Sequence, residues 1–175
     1  VEIAKGLLHR PAVLLLDEPS TGLDPRARRY VWEHLEELRA RDGITVVLTT
    51  HLMDEAETCD RLGILHRGRL VALGSPQDLK REIGGEVVSI EAAHPDKLAE
   101  EIGATYGVEA QVVGRTVRVE RSGAHAFVAE LAGRYGAELG NVTIGKPTLE
   151  DVFIHRTGTD FWSEGASAAA EEGDA

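Results

Sequence analysis

The sequence predicts an α/β chain in two parts. The first is a piece of a parallel sheet with its crossover helix, and the second is a smaller α+β module. Three observations carry this. Val13-Leu14-Leu15-Leu16 is an unbroken apolar run, the pattern of a strand buried on both faces in a parallel sheet. Residues 25–42 follow with a helical apolar period, and Ile44-Thr45-Val46-Val47-Leu48 is a second apolar strand. After Gly84-Gly85 the pattern changes to short strands and helices in the order β-α-β-β-α-β.

Taken in order, residues 1–8 read as an amphipathic helix that opens without a cap, and Val1 is not an initiator Met. The expectation is a C-terminal piece of a longer protein. The strand at 13–16 runs into Asp17-Glu18, and Pro19 stops it. Asp24 can cap the next helix, and Pro25 suits its first position because the missing N–H would be unpaired there anyway. Val31, Leu35 and Leu38 recur at i, i+4 and i+7 as one apolar stripe, and Asp42-Gly43 ends the helix. Strand, helix and strand with short links form a βαβ crossover, so the two strands are expected to be parallel. Parallel strands end on the same edge, which should bring Glu18 and His51 together.

Residues 53–59 read as a short acidic helix. The strands at 62–66 and 69–73 flank Arg67-Gly68 as a hairpin, and Pro76 begins a helix through residue 83. Beyond Gly84-Gly85 the strands fall at 87–91, 110–113, 116–120 and 141–144, and the helices at 95–106 and 124–135. Leu98 and Ile102 mark the buried side of the first of these helices. This order is the split-βαβ, ferredoxin-like arrangement. A last helix is expected at 149–155. The expected domains are therefore 1–84 and 85–158, with a small-residue acidic tail at 159–175 expected to be disordered.

Composition excludes some functions. Asp and Glu number 30 against 19 Lys and Arg, for a formal charge of −11, which argues against a nucleic-acid partner. Arg26, Arg28 and Arg29 form one basic cluster, read as the solvated first turn of a helix. Cys59 is the single cysteine, so no internal disulfide forms and a reducing cytoplasm is the simple location. No apolar run approaches the ~18–20 residues needed to span a bilayer. His9, His34, His66, His94, His125 and His155 show no metal-ligand spacing.

The chemistry concentrates at the first strand exit. In open α/β sheets ligands bind at the carboxyl ends of the strands. There one of the two adjacent carboxylates, Asp17 and Glu18, can hold a hydrated Mg²⁺ while its neighbour orients an attacking water, which is the chemistry of nucleotide hydrolysis. The block LLLDEPSTGLD resembles the Walker B and D-loop segment of the ABC-type ATPases, and Thr49-Thr50-His51 resembles their switch-histidine loop. The closing segment PTLEDVFIHRTG resembles the C-terminal extension of ABC ATPases of the daunorubicin-resistance exporter type. The resemblance implies that the first part is the C-terminal part of a P-loop NTPase sheet and the second an accessory module.

It also implies roles. Glu18 would be the catalytic carboxylate, and His51 would sense the γ-phosphate. Asp17 would bind Mg²⁺, with ATP as the nucleotide. Asp24 and Ser20 would lie in a D-loop that reaches a second ATPase subunit. The implied partners are that second subunit and a separate transmembrane permease, with the ATPase peripheral on the inner face of the cell membrane.

The phosphate cradle such enzymes need, Gly-x-x-x-x-Gly-Lys-Ser/Thr, has one near match at 140–147. Pro147 stands where a hydroxyl is required, 141–144 reads as a strand, and the order along the chain is wrong, so the match is rejected. The chain alone is therefore expected to bind ATP poorly and not to turn it over. Three readings stay open at this point: the ATPase subunit of a drug or antibiotic exporter, an ABC-type ATPase acting outside transport, and a non-catalytic binding or assembly module.

Overall fold

Strand β1 (Val13–Asp17) and strand β2 (Thr45–Thr49) lie side by side and parallel, in register from Val13 opposite Thr45 to Asp17 opposite Thr49. The computed structural model describes residues 11–136 and 138–159. The helix expected at 1–8 and residues 160–175 of the expected tail lie outside the described residues. By its contacts the chain divides into two units, Val1–Glu55 and Ala56–Ala175.

In the first unit, helix α1 (Pro25–Asp42) joins the two strands and is bounded as its residues dictate. Asp24 accepts hydrogen bonds from the N–H groups of Arg26 and Ala27, both at 2.9 Å, which satisfies two donors that the first turn leaves without helical partners. At the other end Gly43 takes a left-handed conformation, φ 65°, and its N–H donates back to the Arg39 carbonyl. Leu35 and Leu38 supply the buried stripe. The short helix α2 (Met53–Ala56) follows β2, ending earlier than its acidic composition suggested.

One expectation for this sheet does not hold. Val13-Leu14-Leu15-Leu16 reads as buried on both faces, yet Leu14 is 7% exposed while Val13 and Leu15 are 51% and 73% exposed. Val47 on β2 is likewise exposed. The burial alternates with the two-residue period of a strand because α1 packs on one side only among the described residues.

The second unit opens with the hairpin β3 (Leu62–His66) and β4 (Arg69–Gly74), antiparallel. Its two turn residues, Arg67 and Gly68, sit at φ 48° and 73°, the positive values that a two-residue turn matched to strand twist requires. Helix α3 (Pro76–Arg81) starts at Ser75, whose hydroxyl oxygen accepts from the Asp78 N–H at 3.1 Å.

Strands β5 (Glu86–Ala92), β6 (Ala110–Val113), β7 (Thr116–Arg121) and β8 (Leu139–Gly145) then form one antiparallel sheet in the order β6-β7-β5-β8. Helices α4 (Pro95–Tyr106) and α5 (Ala124–Tyr135) connect them. This is the ferredoxin-like topology read from the element order. Val88, Ile90, Val117 and Val119 from the sheet pack with Leu98 and Ile102 of α4 and Phe127 and Leu131 of α5 in one core. The final helix, α6 (Leu149–Thr157), puts Val152 into a second cluster with Ala72, Leu79, Ile83 and Val87.

Gly85 at the entrance to β5 is a close-approach position. A Cβ there would lie 2.7 Å from the carbonyl carbon of Arg121 and 2.9 Å from its oxygen. Both are backbone atoms that a side-chain rotation cannot clear. Gly85→Ala is expected to destabilise the second unit by ~1–3 kcal/mol, the range for overpacking. Urea unfolding followed by circular dichroism checks it, and a midpoint equal to that of the unchanged chain would contradict it.

Candidate functional site

The register of β1 on β2 sets the site. With Asp17 opposite Thr49, the residues that follow each strand leave the sheet together. The Thr49 hydroxyl donates to the Asp17 carboxylate, and the Glu18 N–H donates to the same Thr49 oxygen at 3.0 Å. One threonine thus ties down both acidic residues from the neighbouring strand. Glu18 stands at φ 42°, a left-handed value uncommon for a residue with a side chain and concentrated at functional turns. The Thr21 N–H closes the turn onto the Glu18 carbonyl at 3.1 Å, and the Thr21 hydroxyl donates to Glu18 Oε2 at 2.8 Å.

The other Glu18 oxygen faces His51. Nδ1 of the imidazole lies 3.1 Å from Oε1, and both side chains are about half exposed. The convergence demanded by strand direction is therefore realised. Hydrogen bonds from Thr21 and then from His51 hold the Glu18 carboxyl below its ordinary value of 4.5, against partial desolvation and the repulsion of Asp17. Because this carboxyl is depressed in the folded chain, the favourable charge on Glu18 persists at pH above its ordinary value. It is lost as pH falls through the lower folded value. Thr21→Val is expected to raise the Glu18 titration midpoint, since it removes the largest of these influences. Carboxyl ¹³C NMR of the chain checks this, and an unmoved midpoint would show that Thr21 does not hold Glu18.

Ser20 and Asp24 are placed differently. Asp24 is engaged as the cap of α1, a contribution of ~1 kcal/mol to that helix. Ser20 is 1% exposed and turned inward, where its hydroxyl donates to Glu55. Glu55 is the residue that reading the sequence misses. It is 3% exposed in a segment whose acidic residues look equally solvated, and its second oxygen accepts from the Thr50 hydroxyl at 2.6 Å. Arg28 Nε lies 3.7 Å from Oε1. Burial pushes this carboxyl up, but hydrogen bonds from Ser20 and Thr50 together with the Arg28 charge outweigh it and leave it below its ordinary value.

Among the described residues no group of three or more His, Cys, Asp and Glu is arranged to hold a metal ion. Mg²⁺ carried in by a nucleotide is commonly held through one or two carboxylates while phosphates and waters fill the other positions. Asp17, exposed at the strand end and oriented by Thr49, has the right character for such a contact. The near match to a phosphate cradle at 140–147 is excluded by the structure, because Gly140 to Gly145 belong to strand β8.

Two family models match parts of the chain. The model for the C-terminal domain of ATP-binding proteins of the DrrA1-3-like type matches residues 74–157, and a model described as an AAA domain matches residues 5–54. Nod factor export ATP-binding protein I of Rhizobium sp. (strain N33) is 42% identical over 160 residues, which cover 90% of this chain and 51% of that protein. The chain is similar to ATP-binding subunits of ABC transporters. The protein of the same name from Burkholderia lata is 41% identical over 161 residues, again 90% of this chain and 51% of the relative. The chain thus spans about half the length of the curated relatives it matches. Among solved structures, cbiO1 from Clostridium perfringens, part of the ABC transporter complex cbiONQ, is 27% identical over 60% of this chain and 37% of its own, with a TM-score of 0.42.

Proposed function

We propose that this chain is the C-terminal portion of the ATP-hydrolysing subunit of an ABC-type exporter. In this reading residues 1–84 belong to the ATPase domain and 85–158 form an accessory module. The observation that supports the hydrolytic reading most directly is the Glu18–His51 pair, 3.1 Å apart at the carboxyl edge of two parallel strands with Asp17 beside it. The subunit works with a second copy of itself and with a separate permease, at the cytoplasmic face of the membrane. Among the described residues no helix is long and apolar enough to cross a membrane; in this reading a separate permease passes the cargo. The relatives are named for Nod factor export, and export is the direction of transport this suggests.

Each residue has work that its position allows. Glu18, ionised and fixed by Thr21, accepts a proton from, and aligns, the water that attacks the γ-phosphate. His51, held against Glu18, offers a ring N–H to the phosphate oxygens once nucleotide is bound and so couples their presence to the position of the base. Asp17 anchors the metal side of the nucleotide through its carboxylate. Mg²⁺, when bound with ATP, supplies neutralisation of the charge that builds on the transferring phosphoryl group.

In this reading the cradle for the β- and γ-phosphates is supplied by sequence outside the 175 residues, since the near match at 140–147 falls on a β-strand. The test is a Mg²⁺-dependent phosphate-release assay on the full-length subunit and on the 175-residue chain in parallel. The full-length subunit is expected to hydrolyse ATP and the chain to stay at background. Turnover by the chain alone would overturn the assignment of the cradle, and no turnover by the full-length subunit with its permease would overturn the hydrolytic reading.

A further inference from the structure

Two loops have to keep step for this site to work. The loop after β1 carries Glu18 and the loop after β2 carries His51, and no backbone hydrogen bond of the strand ladder extends past Asp17 and Thr49 to hold them together. We propose that Glu55 is the positioning residue of the site, a buried carboxylate that clamps both loops at once and thereby sets the approach of His51 to Glu18. The proposal rests on the hydrolytic reading only for its effect on turnover.

The geometry is specific. One Glu55 oxygen takes the hydroxyl of Ser20, two residues beyond Glu18, and the other takes the hydroxyl of Thr50, the residue immediately before His51. Pro19 lies between Glu18 and Ser20 and has a fixed φ, so the lever from the clamped hydroxyl to the Glu18 backbone is short and stiff. On the other side Thr50 also accepts the Leu52 N–H at 3.0 Å, which folds the chain tightly around His51. Both carboxylate oxygens are thus committed, one to each loop, and Arg28 lies close enough to balance the charge.

A buried carboxylate without partners would be costly, and this one is kept ionised by the very groups it positions. Stabilising α2 alone would not need a carboxylate that reaches both loops. A side chain one methylene shorter could not reach both hydroxyls from the same backbone position.

That last point supplies the test. The Glu18 carboxyl is held low partly by His51, so its titration midpoint reports their contact without any assay of turnover. In the 175-residue chain, E55D is expected to raise the Glu18 midpoint, measured by carboxyl ¹³C NMR, to the value found in H51A. Adding E55D to H51A is expected to move it no further. A folded E55D chain with an unshifted midpoint, or a shift of the same size in the H51A background, would overturn the proposal. Should E55D fail to fold, T50V removes only the hydroxyl beside His51 and is expected to act in the same direction, with an unmoved midpoint again contrary.

In the full-length subunit E55D is expected to lower kcat by about tenfold to a hundredfold with KM for ATP little changed, the mark of misplaced groups rather than lost binding. Added to E18Q, the same substitution is expected to cost nothing more. Wild-type hydrolysis by E18Q would remove the hydrolytic reading while the midpoint result still decided the clamp.

Discussion

Glu18→Gln in the full-length subunit is expected to lower ATP turnover by about 10²–10⁴-fold while ATP binding is retained, the range for loss of a positioned general base. The amide is the same shape and can keep the Thr21 hydroxyl as a partner, so the turn at Glu18 should survive. What it loses is basicity toward water and the attraction of a charged carboxylate for His51. Single-turnover hydrolysis beside equilibrium nucleotide binding separates the two effects. Near-normal turnover would remove Glu18 as the catalytic carboxylate, and parallel losses of binding and turnover would point to collapse of the turn.

The second large effect is expected far from that site. Asp151 is nearly buried, pairs with Arg118 on β7, and closes the first turn of α6 by accepting from the Thr148 N–H at 2.6 Å and from its hydroxyl at 2.7 Å. Asp151→Ala would leave the guanidinium with its main charge partner gone and open the cap. Removing one member of a buried pair costs ~3–5 kcal/mol, and because Arg118 is 17% exposed the low end, about 3 kcal/mol, is expected. Loss of the cap adds ~1 kcal/mol.

The double variant R118M/D151L tests the reason, because well-packed apolar residues often replace such a pair with little loss. It is expected to recover most of the stability except the cap. Urea unfolding of all three chains decides between these outcomes. A single variant within ~1 kcal/mol of the unchanged chain would show that the pair is solvated.

Much of this fold is legible because its signals are local. Pro25 after Asp24, Gly43 after Asp42 and Gly68 after Arg67 specify where helices begin and end and where the hairpin turns, since each acts through its own φ or its own hydrogen bonds. Leu98 and Ile102, four residues apart, are both buried in the core of the second unit. The pairing order β6-β7-β5-β8 follows once the element order is known, because split-βαβ connections leave few other arrangements. The site was legible in part for the same reason. Asp17, Glu18 and His51 sit at strand ends, and a short crossover makes those ends neighbours.

The residues that the sequence conceals are those whose role depends on a partner far along the chain. Glu55 reads as one acid among several in 53–59, and only the folded chain shows that its two oxygens meet Ser20, 35 residues earlier, and Thr50. Leu15 is concealed in the opposite sense. Its neighbours make it look like core, yet it is 73% exposed, because whether a strand has one covered face or two is settled by what packs on it. Arg118 and Asp151 likewise carry no mark that they pair across β7 and α6.

The sequence by itself determined the elements, their order, the parallel sense of β1 and β2, and the strand edge at which Asp17, Glu18 and His51 gather. These follow from backbone preferences and apolar period, which act over a few residues. Only the tertiary structure decided which oxygen meets which donor: Thr49 holding both acids, Thr21 and His51 dividing the two oxygens of Glu18, and Glu55 joining two loops. Hydrogen bonds are made or lost over a few tenths of an ångström, a precision that chain closure and packing set together and that no local preference carries.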